Sequence, residues 1–443
     1  MTEHPFIERL RTVDLVARTG RVTKVLPTYI EADGPSLPIN ALCTVETRPA
    51  AGQVGSASIL AEVASVKGDS IILAPLGAGF STYLGARVIA CTEADSVPVG
   101  DGFLGRAVDA LATPIDGAGP IRADRHADLH GAPIGPLQRQ TPTKVLETGV
   151  RALDGLLTLA QGQRIGVFAA SGVGKTSLML QLARHVEADR CVVCLVGERG
   201  REVETFWSHG LSEAAKARTT LIAATSDQSA AMRVRAANQA LALAEHWRSK
   251  GQHVLLLLDS VTRLAMAIRE IGLAAGEPPT VRAYTPAVFA AIPRLVERCG
   301  AIKSAGAITA IMTILSETDD VDDPISEMMK ALLDGHVVLT RGLAEQGHFP
   351  AIDVPRSVSR LADGLRSKGH MTDAQAAVSL LSTYESSRTL IEAGVYVPGS
   401  NSAIDEALAR RPALTEFLRQ AQDDRASFAQ ARDGLARALG RNA

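Results

Sequence analysis

This chain of 443 residues has few cysteines, few aromatic residues and almost no excess of charge of either sign. The five cysteines are an odd number, which argues against the disulfide framework of a secreted protein. Aromatic residues make up 4% of the chain and the formal net charge is -2, so a largely electrostatic nucleic-acid binder is disfavoured. An apolar run of about 18 residues and a secretory signal are both missing, so we expect a cytoplasmic protein.

Two of the cysteines, Cys191 and Cys194, have the spacing of a redox motif, but they lie inside an apolar segment that predicts a strand. Residues three apart on a strand face opposite sides of the sheet. We therefore interpret both thiols as small buried hydrophobic side chains rather than as a redox pair.

The composition and periodicity of the sequence change along the chain and predict an α/β protein with three folded parts. Residues 18–95 hold short segments rich in Val, Ile, Thr and Gly, which predict a small β-barrel domain. Residues 96–367 alternate apolar strands with helical patterns, which predicts a parallel sheet covered on both faces. Residues 368–443 predict an α-helical carboxyl-terminal domain. Residues 1–17 predict an amphipathic helix, which either docks on the protein itself or binds a partner.

A glycine-rich run stands where a predicted strand becomes a predicted helix. Residues 164–168 are short, apolar and β-branched, and helical spacing begins near Lys175. Gly172 and Gly174 allow the backbone N–H groups to turn toward phosphate oxygens, and the positive end of the helix dipole points the same way. Lys175 is then expected to reach the β- and γ-phosphates of a nucleotide.

The predicted nucleotide-binding loop consists of Ala170, Ser171, Gly172, Val173, Gly174, Lys175, Thr176 and Ser177. The Thr176 hydroxyl is expected to ligate Mg²⁺. The stricter motif has glycine at its first position, where this chain has Ala169. A glycine-rich turn that binds nothing is the alternative, and the agreement of strand, Gly-Lys-Thr and helix argues against it.

Two acidic residues follow two further apolar segments. Glu198 comes after the predicted strand 191–196, and Asp259 comes after the predicted strand 253–258. Because the carboxyl ends of parallel strands share one edge, Lys175, Glu198 and Asp259 are expected to converge. Asp259 is suited to hold Mg²⁺ and Glu198 to polarise the attacking water. The alternatives are a helix N-cap for Asp259 and a solvated loop carboxylate for Glu198.

Further segments carry a resemblance to a known family over nearly the whole chain: residues 103–116, 148–157, 197–203, 259–279 and 350–360. The sequence resembles the hexameric ATPases related to the catalytic subunit of rotary ATP synthases. It resembles most closely the protein-export ATPases of the bacterial flagellum and the type III secretion injectisome. The fourth segment is close to an export-ATPase signature, and the fifth is the general signature of the superfamily.

The resemblance implies a RecA-like P-loop core that binds ATP and Mg²⁺, with Lys175, Glu198 and Asp259 in the roles given above. It places Arg199 and Arg263 near the γ-phosphate. Arg360 matches the arginine finger that enters the neighbouring subunit's site, a contribution of about 10³ to 10⁵ in rate in other phosphoryl-transfer systems.

An aromatic residue and one departure from the family pattern complete the predicted site. Phe349 takes the place of an aromatic residue that stacks on the adenine ring, and packing in the core is its alternative. Ala170 stands where export members usually have glycine, which predicts a loss of backbone freedom at that point.

The implied function is the ATP-hydrolysing motor of a bacterial protein-export apparatus, a homohexamer whose sites lie between subunits. Flagellar and injectisome members share these motifs, and we favour the flagellar system. The alternative is the catalytic subunit of a proton-coupled rotary ATP synthase, which would carry an acidic stretch where this chain has residues 394–400.

The resemblance also implies partners and a place in the cell. These partners are a regulator or stator at the amino-terminal helix, a central stalk protein, export-gate membrane proteins and chaperone–substrate complexes, with no nucleic acid. The expected location is the cytoplasm, peripherally at the inner membrane. Residues 271–294, rich in helix breakers, are expected either to face the central pore, with Tyr284 as a gripping residue, or to form a rigid loop.

Overall fold

The structure is a computed structural model, and it describes residues 18–48, 57–77, 80–91, 96–316 and 323–441. The predicted amino-terminal helix, residues 1–17, lies outside the described residues. The described chain forms a β-barrel, a mostly parallel sheet with helices on both faces, and a group of carboxyl-terminal helices. This architecture confirms the predicted fold class.

A closed antiparallel barrel forms the amino-terminal part. Its strands are β1 Thr19–Val25, β2 Ile30–Ala32, β3 Leu42–Thr47, β4 Ala57–Lys67, β5 Ser70–Pro75 and β6 Arg87–Ala90. They pair in the order β1-β2-β5-β4-β3-β6, and β6 pairs back to β1. Small and β-branched side chains such as Val22, Val45 and Val63 fill the interior, because closure leaves room for little more.

The strands after the barrel are short up to residue 160, and from residue 164 on most strands alternate with helices. They are β7 Ser96–Val99, β8 Ala107–Val108, β9 Arg125–Asp128, β10 Arg139–Gln140, β11 Val145–Leu146, β12 Leu159–Ala160, β13 Arg164–Ala169, β14 Arg190–Val196, β15 Thr219–Ala224, β16 His253–Asp259, β17 Gly300–Ile302, β18 Ala307–Leu315, β19 Gly335–Leu339 and β20 Val358–Ser359. The helices are α1 Lys175–His185, α2 Gly200–Ser208, α3 Glu213–Ala217, α4 Ala230–Ser249, α5 Val261–Ala274, α6 Pro286–Glu297, α7 Pro324–Leu332, α8 Arg341–Glu345, α9 Ala362–Leu365, α10 Lys368–Glu392, α11 Ser402–Leu418 and α12 Phe428–Ala438.

The central sheet has the order β20-β19-β13-β18-β16-β14-β15-β8. Strands β8, β13, β14, β15, β16, β18 and β19 are parallel, and β20 pairs antiparallel with β19. On β18 a short antiparallel extension is added by β17 and then β10. The parallel strands are almost continuously apolar because helices cover both of their faces.

The two cysteines with redox spacing lie on β14 and face opposite sides of this sheet. Cys194 packs in the hydrophobic cluster that includes α4, and Cys191 packs in the cluster that includes α1. Both thiols are free, and burial raises the pKa of Cys191 to about 11. They are buried apolar side chains, as predicted.

The segment between α5 and α6 differs from its predicted role in one respect. Tyr284 is buried, with 4% of its surface exposed, and its ring packs edge-on against Phe289 with the centroids 6.4 Å apart. It is therefore not placed to grip a protein chain. The exposed side chains of the loop include Thr280, Val281 and Arg282, with Val281 at 65%.

The carboxyl-terminal helices pack against the start of the nucleotide-binding core. Helices α10 and α12 contact the π-helical turn Leu153–Leu157. A side chain at Gly155 would lie 3.0 Å from the Phe417 ring, so the absence of a Cβ there permits the close packing. Across the described ranges, none of the helices combines the length and apolar character needed to cross a membrane.

Candidate nucleotide-binding and catalytic site

The glycine-rich loop connects β13 to α1, which begins at Lys175 as predicted. Gly172 and Gly174 have φ of 80° and 92°, in the left-handed region that favours glycine. Val173 is buried and anchors the loop in the core. Ala170 does not have a positive φ, so the alanine that replaces the usual glycine introduces no left-handed strain.

The polar residues of the loop lie toward solvent. Ser171 and Ser177 are exposed, and Thr176 is half-buried in the first turn of α1. Backbone N–H groups of a first helical turn have no partner within the helix. The loop therefore presents hydroxyl groups and N–H donors at the amino-terminal end of α1, where an anion is favoured.

Lys175, Glu198 and Asp259 meet at the carboxyl edge of the sheet, as predicted. The Lys175 Nζ lies 2.5 Å from Asp259 Oδ1 and 3.4 Å from Glu198 Oε1. Glu198 is 5% exposed and Asp259 3% exposed. Two carboxylates buried this deeply need a cation nearby, and the lysine ammonium provides it here.

Thr313 contacts the same oxygen of the Asp259 carboxylate as Lys175, and the sequence prediction missed this residue. Its hydroxyl donates a hydrogen bond of 2.6 Å to Asp259 Oδ1. Asp259 is not the N-cap of α5, because the Ser260 side chain accepts the hydrogen bond from the Arg263 N–H. The N-cap alternative for Asp259 is therefore wrong.

Glu198 is surrounded by protein rather than by solvent, so the solvated-loop alternative is also wrong. The Arg263 Nε lies 3.4 Å from Glu198 Oε1. Gly197 has φ of 71°, and a Cβ on it would lie 2.8 Å from Arg263 Cδ, so glycine allows the arginine to pass close to the backbone. The backbone carbonyl of Glu198 accepts the Ser226 N–H. Arg199 is exposed at the N-cap of α2.

Phe349 lies beside the phosphate loop, on the chain that follows α8. A Cβ on Gly174 would be 3.4 Å from its ring, and 45% of the residue's surface is exposed. That exposure excludes ordinary core packing as its role. The carbonyl of Phe349 accepts the N–H of Gln420, which ties it to the helical domain.

Arg360 lies at the opposite edge of the sheet from the phosphate loop. It follows β20, which pairs with the first residues of β19, and its N–H donates to the Asp334 carbonyl. Its exposed side chain donates to the carbonyl of Lys330. The length of β13, about 16 Å at the usual rise per residue, separates this edge from the loop. Arg360 is therefore not part of its own subunit's site.

The oxygen atoms around the loop fit a small divalent cation. The Thr176 hydroxyl and the Asp259 carboxylate are hard oxygen donors of the kind that Mg²⁺ prefers. Among the described residues, both hydrogen bonds to the Asp259 carboxylate go to Oδ1, and Oδ2 accepts none.

A second cluster of possible metal ligands, Asp101, Asp124 and His246, already has its own cations. The Lys250 ammonium lies 3.2 Å from Asp124 Oδ2, and the Arg125 Nε donates to His246 Nδ1. An acceptor role at Nδ1 puts the proton of a neutral imidazole on Nε2, the nitrogen nearest to Asp124. The cluster is therefore an ion-pair network rather than a cation site.

Comparisons with known proteins agree with this geometry. Residues 149–359 match the ATP synthase alpha/beta family, nucleotide-binding domain. Residues 366–437 match the T3SS EscN ATPase C-terminal domain. The flagellum-specific ATP synthase of Bacillus subtilis is 43% identical over 424 residues, which cover 96% of this chain and 96% of that protein.

Two solved structures are similar over almost the whole molecule. The assembled ATPase EscN of the enteropathogenic E. coli type III secretion system has a TM-score of 0.88 and 36% identity, over 95% of this chain and 100% of that chain. The assembled EscN in complex with its central stalk EscO has a TM-score of 0.84 and 36% identity, with the same coverage.

Proposed function

The chain belongs to the ATP synthase alpha/beta family and, within it, to the flagellar and type III secretion ATPases. From this membership we propose that it is the ATP-hydrolysing motor of a bacterial protein-export apparatus. The observation that carries the proposal is the meeting of Lys175, Glu198 and Asp259 beside a glycine-rich loop.

The chemistry of each side chain in the site gives it a role in hydrolysis. Lys175 turns from the two carboxylates to the phosphates, and the loop N–H groups and Thr176 hold the triphosphate. Glu198 accepts a proton from the attacking water, and Arg263 orients the Glu198 carboxylate. Arg199, exposed next to Glu198, adds positive charge near the γ-phosphate. Mg²⁺, held by Thr176 and Asp259, would neutralise phosphate charge when bound.

The base of the nucleotide would lie on the side of the loop where Phe349 is found. Its ring is exposed, so one face of the ring can stack on the adenine ring. This aromatic residue and the loop together account for binding ATP as a whole nucleotide rather than as a bare triphosphate.

A homohexameric ring with sites between subunits is supported by the position of Arg360. An exposed arginine on the edge opposite to the phosphate loop has a use in catalysis if a neighbouring subunit brings its loop there. The solved relatives are described as assembled, and one is described with a central stalk. We extend both properties to this chain.

The other partners follow from family membership. They are a regulator or stator bound through residues 1–17, export-gate membrane proteins, and complexes of chaperones with substrates. These contacts would hold the ATPase at the cytoplasmic side of the inner membrane.

The competing function, the catalytic subunit of a rotary ATP synthase, is less well supported. The carboxyl-terminal part matches the domain of type III secretion ATPases, and similarity to export ATPases extends over nearly the whole chain.

The proposed roles predict a separation between binding and hydrolysis. We expect Glu198→Gln to keep ATP binding, because the amide preserves the size of the side chain, and to lower the hydrolysis rate by about 100-fold or more. Lys175→Ala should weaken ATP binding itself, because it removes a charged phosphate contact. Fluorescence titration with a labelled ATP analogue and a phosphate-release assay measure the two effects.

Glu204→Gln is the matched control, because Glu204 is an exposed carboxylate on α2, near Glu198 in sequence but outside the site. It should behave like the wild type in both assays. Equal loss of binding in the Glu198 and Lys175 variants would contradict the assigned roles, and a wild-type protein without ATPase activity would contradict the proposed function.

A further inference from the structure

Strand β18 lies between two of the strands that build the site. On one side it pairs with β13, which leads into the phosphate loop, and on the other with β16, which ends at Asp259. Thr313 is fully buried on β18, with backbone pairing to Val167 of β13. Its hydroxyl donates to Asp259 Oδ1 at 2.6 Å.

The hydroxyl at position 313 is a specific feature of a strand that is otherwise apolar at this end. Its neighbours along the strand, Met312 and Ile314, are fully buried apolar residues. The other buried threonine of β18, Thr309, has different partners, namely the Gly162 N–H and the His253 ring. A buried hydroxyl needs a partner, and for Thr313 that partner is the Asp259 carboxylate.

Two groups contact the same carboxylate oxygen, and they differ in mobility. The Lys175 ammonium stands on a flexible four-carbon stem and, by the proposed function, moves to the phosphates when a nucleotide binds. Thr313 is β-branched on a strand paired on both sides, so its side chain is restricted at χ1 and its backbone is fixed. When the lysine leaves, the threonine contact stays.

We propose that Thr313 is a positioning residue that fixes the orientation of the Asp259 carboxylate and thereby reserves Oδ2 for the cation of Mg²⁺-ATP. This inference rests on the proposed function and assigns a role in it to a residue that acts through Asp259. The contact is a charge-assisted O–H···O⁻ bond, which is among the stronger hydrogen bonds in proteins.

The test compares three variants at this position with a control. Thr313→Val keeps the shape and removes the donor, Thr313→Ala removes the donor and a methyl group, and Thr313→Ser keeps the donor. Thr220→Val is the matched control, because Thr220 is equally buried on β15 of the same sheet and its hydroxyl donates to the carbonyl of Phe103.

The first measurement is the affinity for a fluorescent ATP analogue over a Mg²⁺ series that starts in EDTA. Without Mg²⁺ we expect Thr313→Val to bind like the wild type, because the loop and Lys175 are intact. Addition of Mg²⁺ should raise the affinity of Thr313→Val less than it raises that of the wild type. The Mg²⁺ concentration that Thr313→Val needs for half-maximal hydrolysis should rise about tenfold or more. Thr313→Ser should restore both values, and Thr220→Val should leave them unchanged.

A purely structural role for Thr313 would lower stability and affect binding equally with and without Mg²⁺. That result, or a Mg²⁺ dependence of Thr313→Val equal to that of Thr220→Val, overturns the proposal. If the valine variant does not fold, the alanine and serine variants give the same comparison. A wild-type protein that neither binds nor hydrolyses ATP would instead overturn the proposed function, so the two failures are distinguishable.

Discussion

At the scale of single residues, the site depends on how buried charge is balanced. Glu198 and Asp259 are both almost completely buried, and Lys175 and Arg263 are the cationic groups next to them. Removing one member of such a group leaves an uncompensated buried charge, which is costly. Lys175 neutralises the two carboxylates in this structure, and in the proposed function its move to the phosphates would leave Asp259 ready for a cation.

A histidine at the start of β16 predicts a specific pH dependence of stability. The His253 ring lies 2.7 Å from the Thr309 hydroxyl, and burial lowers the pKa of His253 to about 4. Below a pH of about 6.5 the unfolded chain takes up a proton that the folded chain refuses, so the free energy of unfolding falls as the pH drops toward 4. The full loss is about 3 kcal/mol for this group.

Replacement of His253 by Gln should therefore reduce the loss of stability between pH 7.5 and pH 4.5, as measured by thermal unfolding at a series of pH values. Other buried histidines, such as His246 and His370, have a lowered pKa as well, so the replacement of His253 reduces the acid-dependent loss of stability without abolishing it. His209→Gln, a change at an exposed position, is the control. Equal acid sensitivity in the two variants would show that His253 does not carry the effect.

The predictability of the site also differs from residue to residue. Lys175, Glu198 and Asp259 could be predicted because each follows a recognisable apolar strand and parallel strands end at one edge. Thr313 could not, because its partner lies 54 residues away and a threonine in a strand is unremarkable in sequence. A hydroxyl inside an apolar strand next to the phosphate-loop strand is the signal that was available.

At the scale of elements, the helical domain is fastened to the nucleotide site through the loop after α11. The Gln420 side chain accepts the Arg151 N–H and donates to the carbonyls of Gly149 and Asp424. Its backbone N–H donates to the carbonyl of Phe349. One nearly buried residue thus joins the helical domain, the start of the core and the aromatic residue beside the loop.

We expect Gln420→Ala to lower stability by about 2 kcal/mol, because it leaves buried backbone groups without partners. The same change should loosen the support of Phe349 and raise the KM for ATP by a few fold, with a smaller effect on kcat. Thermal unfolding and steady-state ATPase kinetics measure these effects.

Gln375→Ala is the control for this change, because Gln375 is exposed on α10 of the same helical domain. If Gln420→Ala has the same unfolding temperature and the same KM for ATP as Gln375→Ala, the helical domain does not support the site in this way. The sequence could not indicate this connection, because the pattern of residues 368–443 predicts a helical domain without indicating which side chains contact the core.

The elements themselves were more predictable than their contacts. The positions of β13, β14 and β16 could be predicted from their apolar runs, because strands covered on both faces consist almost entirely of apolar residues. The segment between α5 and α6 was harder, because its helix breakers indicate a loop without indicating which side chains turn outward. Burial of Tyr284 is a tertiary effect of packing against Phe289.

At the scale of the whole molecule, the two halves of the proposed catalytic machinery lie on opposite edges of one sheet. Lys175 and Glu198 are at the carboxyl edge, and Arg360 is at the amino edge next to Asp334. In the proposed mechanism one subunit alone therefore does not complete a site, whereas a closed ring of identical subunits would complete one at every interface.

This arrangement predicts complementation between two inactive proteins. Glu198→Gln lacks the carboxylate and keeps the finger, and Arg360→Ala lacks the finger and keeps the carboxylate. In rings with random composition from equal amounts, about one interface in four pairs an intact Glu198 with an intact Arg360, so part of the activity should return if sites are shared. A phosphate-release assay on the mixture, compared with each protein alone, measures the recovery.

The decisive control is a mixture of Glu198→Gln with Lys175→Ala. Both of these changes damage the same half of the site, so no arrangement of the subunits brings an intact lysine and an intact carboxylate to one interface. Mixed rings are verified by pull-down with a tag on one variant only. Recovery in the first mixture and none in the second would assign Arg360 to the neighbour's site. Equal inactivity of the two mixtures, with subunit exchange verified, would mean that each subunit works with its own residues and that Arg360 has another use.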